Sequence, residues 1–312
     1  MNDAPVIASF DTALNYVEND VPLLLDADAT VSDVDSADLG TGVLTVTLTT
    51  NGETADRVEI RNQGVAAGQI GVSGANVTFG GTTIGTFVGG SGVTPLVVTL
   101  NASATPVAVQ ALMQNLTYRN VSETPSTLPR TVTVALTDGD GGTSNVGTKT
   151  INVAAVNDAP VIAAFDAAIG YTEAAPAVLL DADATVADID SVNLDTGALT
   201  ITLTANSEAE DRVEIRNQGV APGEIGLSVA NVTFGGTIIG SFAGGVGGVP
   251  LVVTLNVNAS PVAVEALLRN LTYRSVSVTP SVAARTVNVS LTDGDGGTSN
   301  IPTKTINVTV LP

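Results

Sequence analysis

Residues 2–156 recur, without insertion or deletion, as residues 157–311. The opening Asn2-Asp3-Ala4-Pro5-Val6-Ile7 returns as Asn157-Asp158-Ala159-Pro160-Val161-Ile162. Residues 57–66 match 212–221, 95–101 match 250–256, and 136–145 match 291–300. A period of 155 residues is far longer than the units that stack into solenoids, so each copy is expected to be a domain with its own core. The boundaries expected are 1–155 and 156–312. Between the copies, polar Asn157 and Asp158 precede Pro160, whose fixed φ and extended bias on the residue before it suit a short, stiff connector. The chain opens inside this motif and shows no signal peptide at Met1, so it reads as a segment of something longer.

Within a copy, apolar and polar residues alternate with period two in short runs bounded by Gly, Asn, Asp and Pro. The runs predict strands over 6–10 and 16–18 (A, interrupted), 23–31 (B), 43–50 (C), 57–62 (D), 69–72, 77–79, 82–88, 96–100, 116–121, 131–137 (F) and 148–156 (G). Gly80-Gly81 and Gly89-Gly90 punctuate a hairpin. One helix interrupts the pattern over 107–115, opened by Thr105-Pro106, with Val109, Leu112 and Leu116 on one face. Its counterpart starts at Ser260-Pro261. The fold expected is all-β: two tandem antiparallel β-sandwiches, each with a short inserted helix acting as a lid on one open end or edge.

With 44% apolar but only 3% aromatic residues, the core must be built from aliphatic side chains and Thr methyls. Cysteine is absent, which excludes disulfides and Cys/His zinc sites; histidine is absent too, which removes the commonest general base. No enzyme activity is expected. A net charge of −20 repels nucleic acid and anionic membranes and suits divalent cations. No apolar run approaches the roughly 18 residues of a membrane span.

The same carboxylates stand in both copies. In the first they are Glu18, Asp33, Asp35, Asp56, Asp138 and Asp140; in the second, Glu173, Asp188, Asp190, Asp211, Asp293 and Asp295. Following the strands from pole to pole places the B–C turn (Asp33, Asp35) and the F–G turn (Asp138, Asp140) at the pole where the chain enters. Glu18 and Asp56, with Glu53 as a further candidate, fall at the other. The junction is thereby expected to gather Glu18, Asp56, Asn157, Asp158, Asp188, Asp190, Asp293 and Asp295, and the first copy to hold a half set of Asn2, Asp3, Asp33, Asp35, Asp138 and Asp140. So many carboxylates in one place repel unless a cation joins them. Calcium, with roughly six to eight oxygen ligands in flexible geometry, suits the set better than magnesium. The Asp138-Gly139-Asp140-Gly141-Gly142 run also reads as an ordinary turn in which Asp side chains bond their own backbone. It lacks the closing Glu of an EF-hand loop. Asp26 and Asp28, alternating with Leu25 and Ala27, are expected to face solvent.

These residues resemble the cadherin-like repeats of large bacterial surface proteins. The resemblance is carried by Glu18 on strand A, Asp33 and Asp35 after strand B, Asp138-Gly139-Asp140-Gly141 between F and G, and Asn157-Asp158-Ala159-Pro160 in the linker. It covers both copies. Asp56-Arg57-Val58-Glu59 matches the family's acidic-Arg-acidic motif only loosely, and the long insertion with its helix is unlike animal cadherins. The resemblance implies an extracellular, cell-surface or biofilm spacer: tandem sandwiches stiffened by calcium, with neighbouring repeats of the same chain as partners. Head-to-tail association of identical chains into a filament is the alternative. A carbohydrate-binding module is a third, disfavoured because only ten aromatic residues exist to build a sugar platform.

Overall fold

The computed structural model describes residues 2–312. The chain divides into two compact units, Met1–Val156 and Asn157–Pro312, each with its own hydrophobic core. In the first unit the strands are β1 (Val6–Ala8), β2 (Leu14–Val17), β3 (Leu23–Leu24), β4 (Thr30–Ser32), β5 (Val43–Thr50), β6 (Asp56–Ile60), β7 (Ile70–Ser73), β8 (Asn76–Phe79), β9 (Thr82–Val88) and β10 (Leu96–Leu100). Helix α1 (Pro106–Met113) follows, then β11 (Leu116–Asn120), β12 (Arg130–Leu136) and β13 (Gly147–Ala154). An eight-stranded sheet in the order β2-β13-β12-β5-β10-β9-β8-β7 faces a three-stranded sheet, β3-β11-β6, and β1 pairs with β4. The second unit repeats this order strand for strand. The protein is all-β, with two sandwich domains.

The alternation of β5 explains the layering. Leu44, Val46 and Leu48 turn inward and stand opposite Leu136, Val134 and Val132 of β12, while Thr45, Thr47 and Thr49 turn out. The same core takes in Val58 of β6 and Leu116 and Tyr118 of β11. Burying one such aliphatic side chain contributes about 1.5–3 kcal/mol. Tyr16 and Tyr118 meet edge to face at 5.4 Å, and Tyr171 and Tyr273 repeat the contact at 5.3 Å.

Helix α1 starts at Pro106, where a missing N–H costs nothing, and the Thr105 hydroxyl caps it by accepting from the Ala108 N–H. Ala108, Val109, Leu112 and Met113 are buried, and the helix packs on β4 and β8. It therefore belongs to the core rather than lying over it. Gln114 caps its C-terminus, and just beyond it the Asn115 Nδ2 donates to the Ala111 carbonyl at 2.8 Å.

Three expectations are corrected. The run 23–31 is not one strand: β3 and β4 belong to different sheets, separated by a turn at Asp26. The Asp26 Oδ1 accepts the N–H groups of Asp28 and Ala29, which bends the chain out of extended geometry. Asp26 itself is buried, not solvent-facing, because Lys149 of β13 reaches inward to it. Finally, pairing is not wholly antiparallel: β2 runs parallel to β13.

Candidate metal centre

Each unit gathers acidic residues where its chain enters. In the first, β1 pairs with β4, which sets residues 2–3 beside the 33–36 turn. Asn145 clamps β1 from the other side: its Oδ1 accepts the Ile7 N–H at 2.9 Å and its Nδ2 donates to the Ile7 carbonyl at 2.8 Å. Asn300 holds Ile162 in the same way. These two asparagines position the site without belonging to it. Sequence reasoning passed over them, although they close the repeated F–G motif.

In the second unit, Asn157 Nδ2 donates to Asp293 Oδ2 at 2.9 Å. The Asp158 N–H donates to Asp190 Oδ2 at 3.1 Å, and the Ser191 N–H to Asp188 Oδ1 at 3.0 Å. In the first unit Asn2 bonds Asp138 at 2.8 Å, Asp3 bonds Asp35 at 3.0 Å, and Ser36 bonds Asp33 at 3.1 Å. The structure thus brings Asn157, Asp158, Asp188, Asp190 and Asp293 together in one unit and Asn2, Asp3, Asp33, Asp35 and Asp138 in the other.

The roles within the set differ. Asp138 and Asp293 are fully buried and accept backbone N–H groups of their own turns, from Asp140 and Gly142 and from Asp295, Gly296 and Gly297. Burial alone would raise these carboxyls. The bonds from Asn2 and Asn157 and from the turn amides outweigh it and hold both below the usual carboxylate range. The turn needs its glycines: Gly294 and Gly296 have φ of 95° and 119°, and a Cβ on Gly297 would come within 2.8 Å of the Ala159 Cα. Asp140 and Asp295 are exposed and enter the turn only through their backbone N–H.

Asp188 and Asp190 differ from Asp293 in having buried oxygens left without a donor. Asp188 Oδ2 and Asp190 Oδ1 are buried with no hydrogen-bond partner among the described residues, as is Asp33 Oδ2 in the first unit. Burial first, then the neighbouring Asp190 carboxylate, pushes the Asp188 carboxyl up. Buried carboxylate oxygens without a donor are costly. A hard divalent cation could satisfy them, with the Asn157 Oδ1 completing an all-oxygen donor set.

At the opposite end of the first unit Glu18 is buried. Its Oε2 accepts the Val156 N–H at 2.7 Å, while its Oε1 has no hydrogen-bond partner among the described residues. Glu173 likewise accepts the Leu311 N–H at 3.0 Å. Glu123, which sequence reasoning missed, brings a carboxylate oxygen within 4.8 Å of Glu18. Its counterpart is Val278, so the repeat gave no signal for it.

Asp56 does not act as expected. It is fully buried, its Oδ1 accepts from the Tyr118 hydroxyl at 2.6 Å and Asn120 at 2.7 Å, and its Oδ2 accepts the Glu53 N–H at 2.7 Å and faces Arg130 at 3.5 Å. Glu53 is taken by the same arginine at 2.6 Å. Asp211, Glu208, Tyr273 and Arg285 repeat the network. Both oxygens of Asp56 already have partners, so the residue serves as counter-ion to a buried guanidinium and not as a metal ligand.

No family model matches the chain, and no curated protein matches it. Among solved structures it is similar to the protocadherin gamma B7 extracellular cadherin domains 1–4, at 14% identity over 99% of this chain and 51% of that one, with a TM-score of 0.29. It is also similar to Drosophila N-cadherin, at 13% identity over 99% of this chain and 50% of that one, TM-score 0.29. A further match is the human desmocollin-1 ectodomain, at 12% identity over 98% of this chain and 42% of that one, TM-score 0.24. The chain thus spans about half the length, or less, of these cadherin ectodomain structures.

Proposed function

We propose that this chain is a structural, non-enzymatic repeat module of an extracellular adhesin or matrix protein, whose units take up calcium where the chain enters them and are stiffened by it. The observation that carries this reading is the pair of buried, partnerless oxygens on Asp188 and Asp190 beside Asn157 and Asp293. A divalent cation would satisfy such oxygens together. Asp188, Asp190, Asp158 and the Asn157 carbonyl would hold the ion, with Asp293 fixing Asn157. Asp33, Asp35 and Asn2 would do the same in the first unit. The ion would supply positive charge that ties the linker segment to two turns of the sandwich.

Isothermal titration calorimetry tests this. Calcium is expected to bind, and magnesium more weakly, since magnesium resists losing its waters. The double substitution Asp188→Asn with Asp190→Asn should weaken the tightest class of sites about a hundredfold, a loss of about 2.7 kcal/mol. No calcium heat in the wild type, or unchanged affinity in the double variant, would sink the assignment.

A further inference from the structure

The cationic side chains of this acidic protein are not spread over its surface. Of its basic residues, Arg130, Lys149, Arg285 and Lys304 are buried in ion pairs. The three others in the first unit, Arg57, Arg61 and Arg119, all stand on β6, just past it, or on β11. Arg119 is claimed by Glu59 through two contacts of 3.0 Å. Arg57 and Arg61 have no acidic partner among the described residues. One nitrogen of Arg57 donates to the Thr54 and Asp56 carbonyls, both at 2.7 Å. The Nε of Arg61 donates to Asn115 at 2.8 Å. These bonds orient both guanidiniums and leave most of their five N–H donors uncommitted.

The two arginines flank a groove of about 590 Å3 whose walls include Val58, Ile60, Phe87 and Gly90, together with Glu59, whose carboxylate is taken by Arg119. Strand β6 is the edge of the small sheet. Its first residues are already covered: the Val58 N–H donates to the Gly90 carbonyl at 2.9 Å and the Gly92 N–H to the Asp56 carbonyl at 2.8 Å. Arg61 donates the other way, to Asn115 on the β11 side, at 2.8 Å. By the alternation of an antiparallel pair, the backbone N–H and C=O of Ile60 therefore point into the groove, and no partner meets them among the described residues.

The second unit builds the same groove, of about 450 Å3, from Arg212, Glu214, Ile215, Arg216, Phe242 and Gly245, with Glu214 held chiefly by Arg274 and more weakly by Arg212. Some surface charges drift between copies, as where Asp20, Asp38 and Glu123 are matched by Ala175, Asn193 and Val278, while others such as Asp28 and Asp140 return as Asp183 and Asp295. The groove arginines, the phenylalanine and the Gly-Gly pair return unchanged.

We propose that each unit binds an extended acidic peptide segment in this groove. Guanidiniums that make no ion pair and keep N–H donors free in a chain of net charge −20 are matched by carboxylates, which they grip in a planar, two-pronged fashion. The open backbone of Ile60 or Ile215 adds the hydrogen bonds of a strand joining a sheet edge. Phe87 or Phe242 gives an apolar side chain a floor. Arg57 and Arg61 lie four residues apart, about 13 Å along an extended chain, so the peptide carries acids at positions i and i+4 with apolar residues between.

The test is fluorescence anisotropy with a labelled Glu-Val-Thr-Val-Glu peptide, in chelator so that no cation contributes. It should bind at two sites per chain, at least about tenfold more tightly than Gln-Val-Thr-Val-Gln on the same wild-type protein. The variant carrying Arg61→Gln and Arg216→Gln should lose about tenfold, the effect of one charge-assisted contact. Methylating the central backbone nitrogen of the peptide should weaken binding further, which simple charge attraction would not produce. Equal binding of the acid and glutamine peptides, no binding, or indifference to the arginine variant overturns the proposal. Arginine-dependent binding of an oligouronate without the peptide overturns it in favour of an acidic polysaccharide. Self-association lost in the arginine variant, with no peptide binding, overturns it in favour of a second copy of the chain.

Discussion

Asp211→Ala should destabilise the second unit by about 3–5 kcal/mol, the penalty for leaving a buried charge without its partner. The Arg285 side chain is fully buried, with its guanidinium shared between Asp211 and Glu208. Removing Asp211 strands that charge and also deprives the Tyr273 hydroxyl and the Glu208 N–H of their acceptor. For a unit of this size the loss corresponds to a fall in melting temperature of roughly 10 °C. Calorimetry should show it in one unit only, because the two cores are separate. Adding Arg285→Met should recover part of the loss, since replacing a whole buried pair is milder than breaking it. Calcium affinity should stay at the wild-type level. An unchanged melting temperature with lost calcium affinity would contradict the counter-ion role of Asp211 and make it a metal ligand.

The second large effect is expected from Lys304→Met. Lys304 is buried, bonded to Asp181 and set over the Phe165 ring at 4.8 Å from its centre. Burial would raise the Asp181 carboxyl, but the Lys304 ammonium and the Asp183 and Ala184 amides outweigh it and hold it below the usual range. The folded pKa therefore lies under the unfolded value of about 3.9. The stability this group contributes is complete above that value and lost as pH falls through the folded pKa. In the variant the lowering partner is gone and burial dominates, so the carboxyl shifts upward. The deficit should be about 3–5 kcal/mol at neutral pH and shrink as acid protonates Asp181. Urea melts near neutrality and near pH 4 measure this. A deficit independent of pH would mean that packing of the lysine stem, not its charge, is what matters.

Uninterrupted alternation made much of the fold legible. Strands β5, β9 and β10 end where the sequence places them, because Gly, Pro and Asn bound each run. Strand B misled because its break lies in a side chain: nothing in Leu25-Asp26-Ala27-Asp28 announces that Asp26 turns back on its own backbone and meets a lysine on the last strand. The parallel pairing of β2 with β13 joins the two ends of a unit and leaves no local trace. The acidic turns were legible because their glycines and their repetition are both local signals. Asp56 was not, since its neighbours read as a ligand motif while Arg130, the residue that decides its role, lies on a later strand. Glu123 was missed because the second copy has valine there.

Small-angle X-ray scattering on the whole chain, in millimolar calcium and again in chelator, tests the calcium-stiffened spacer most directly. A single well-defined maximum dimension is expected in calcium and a broader, more flexible ensemble in chelator, with Asp188→Asn/Asp190→Asn scattering like the chelated protein under both conditions. Superimposable wild-type curves in the two buffers would contradict it.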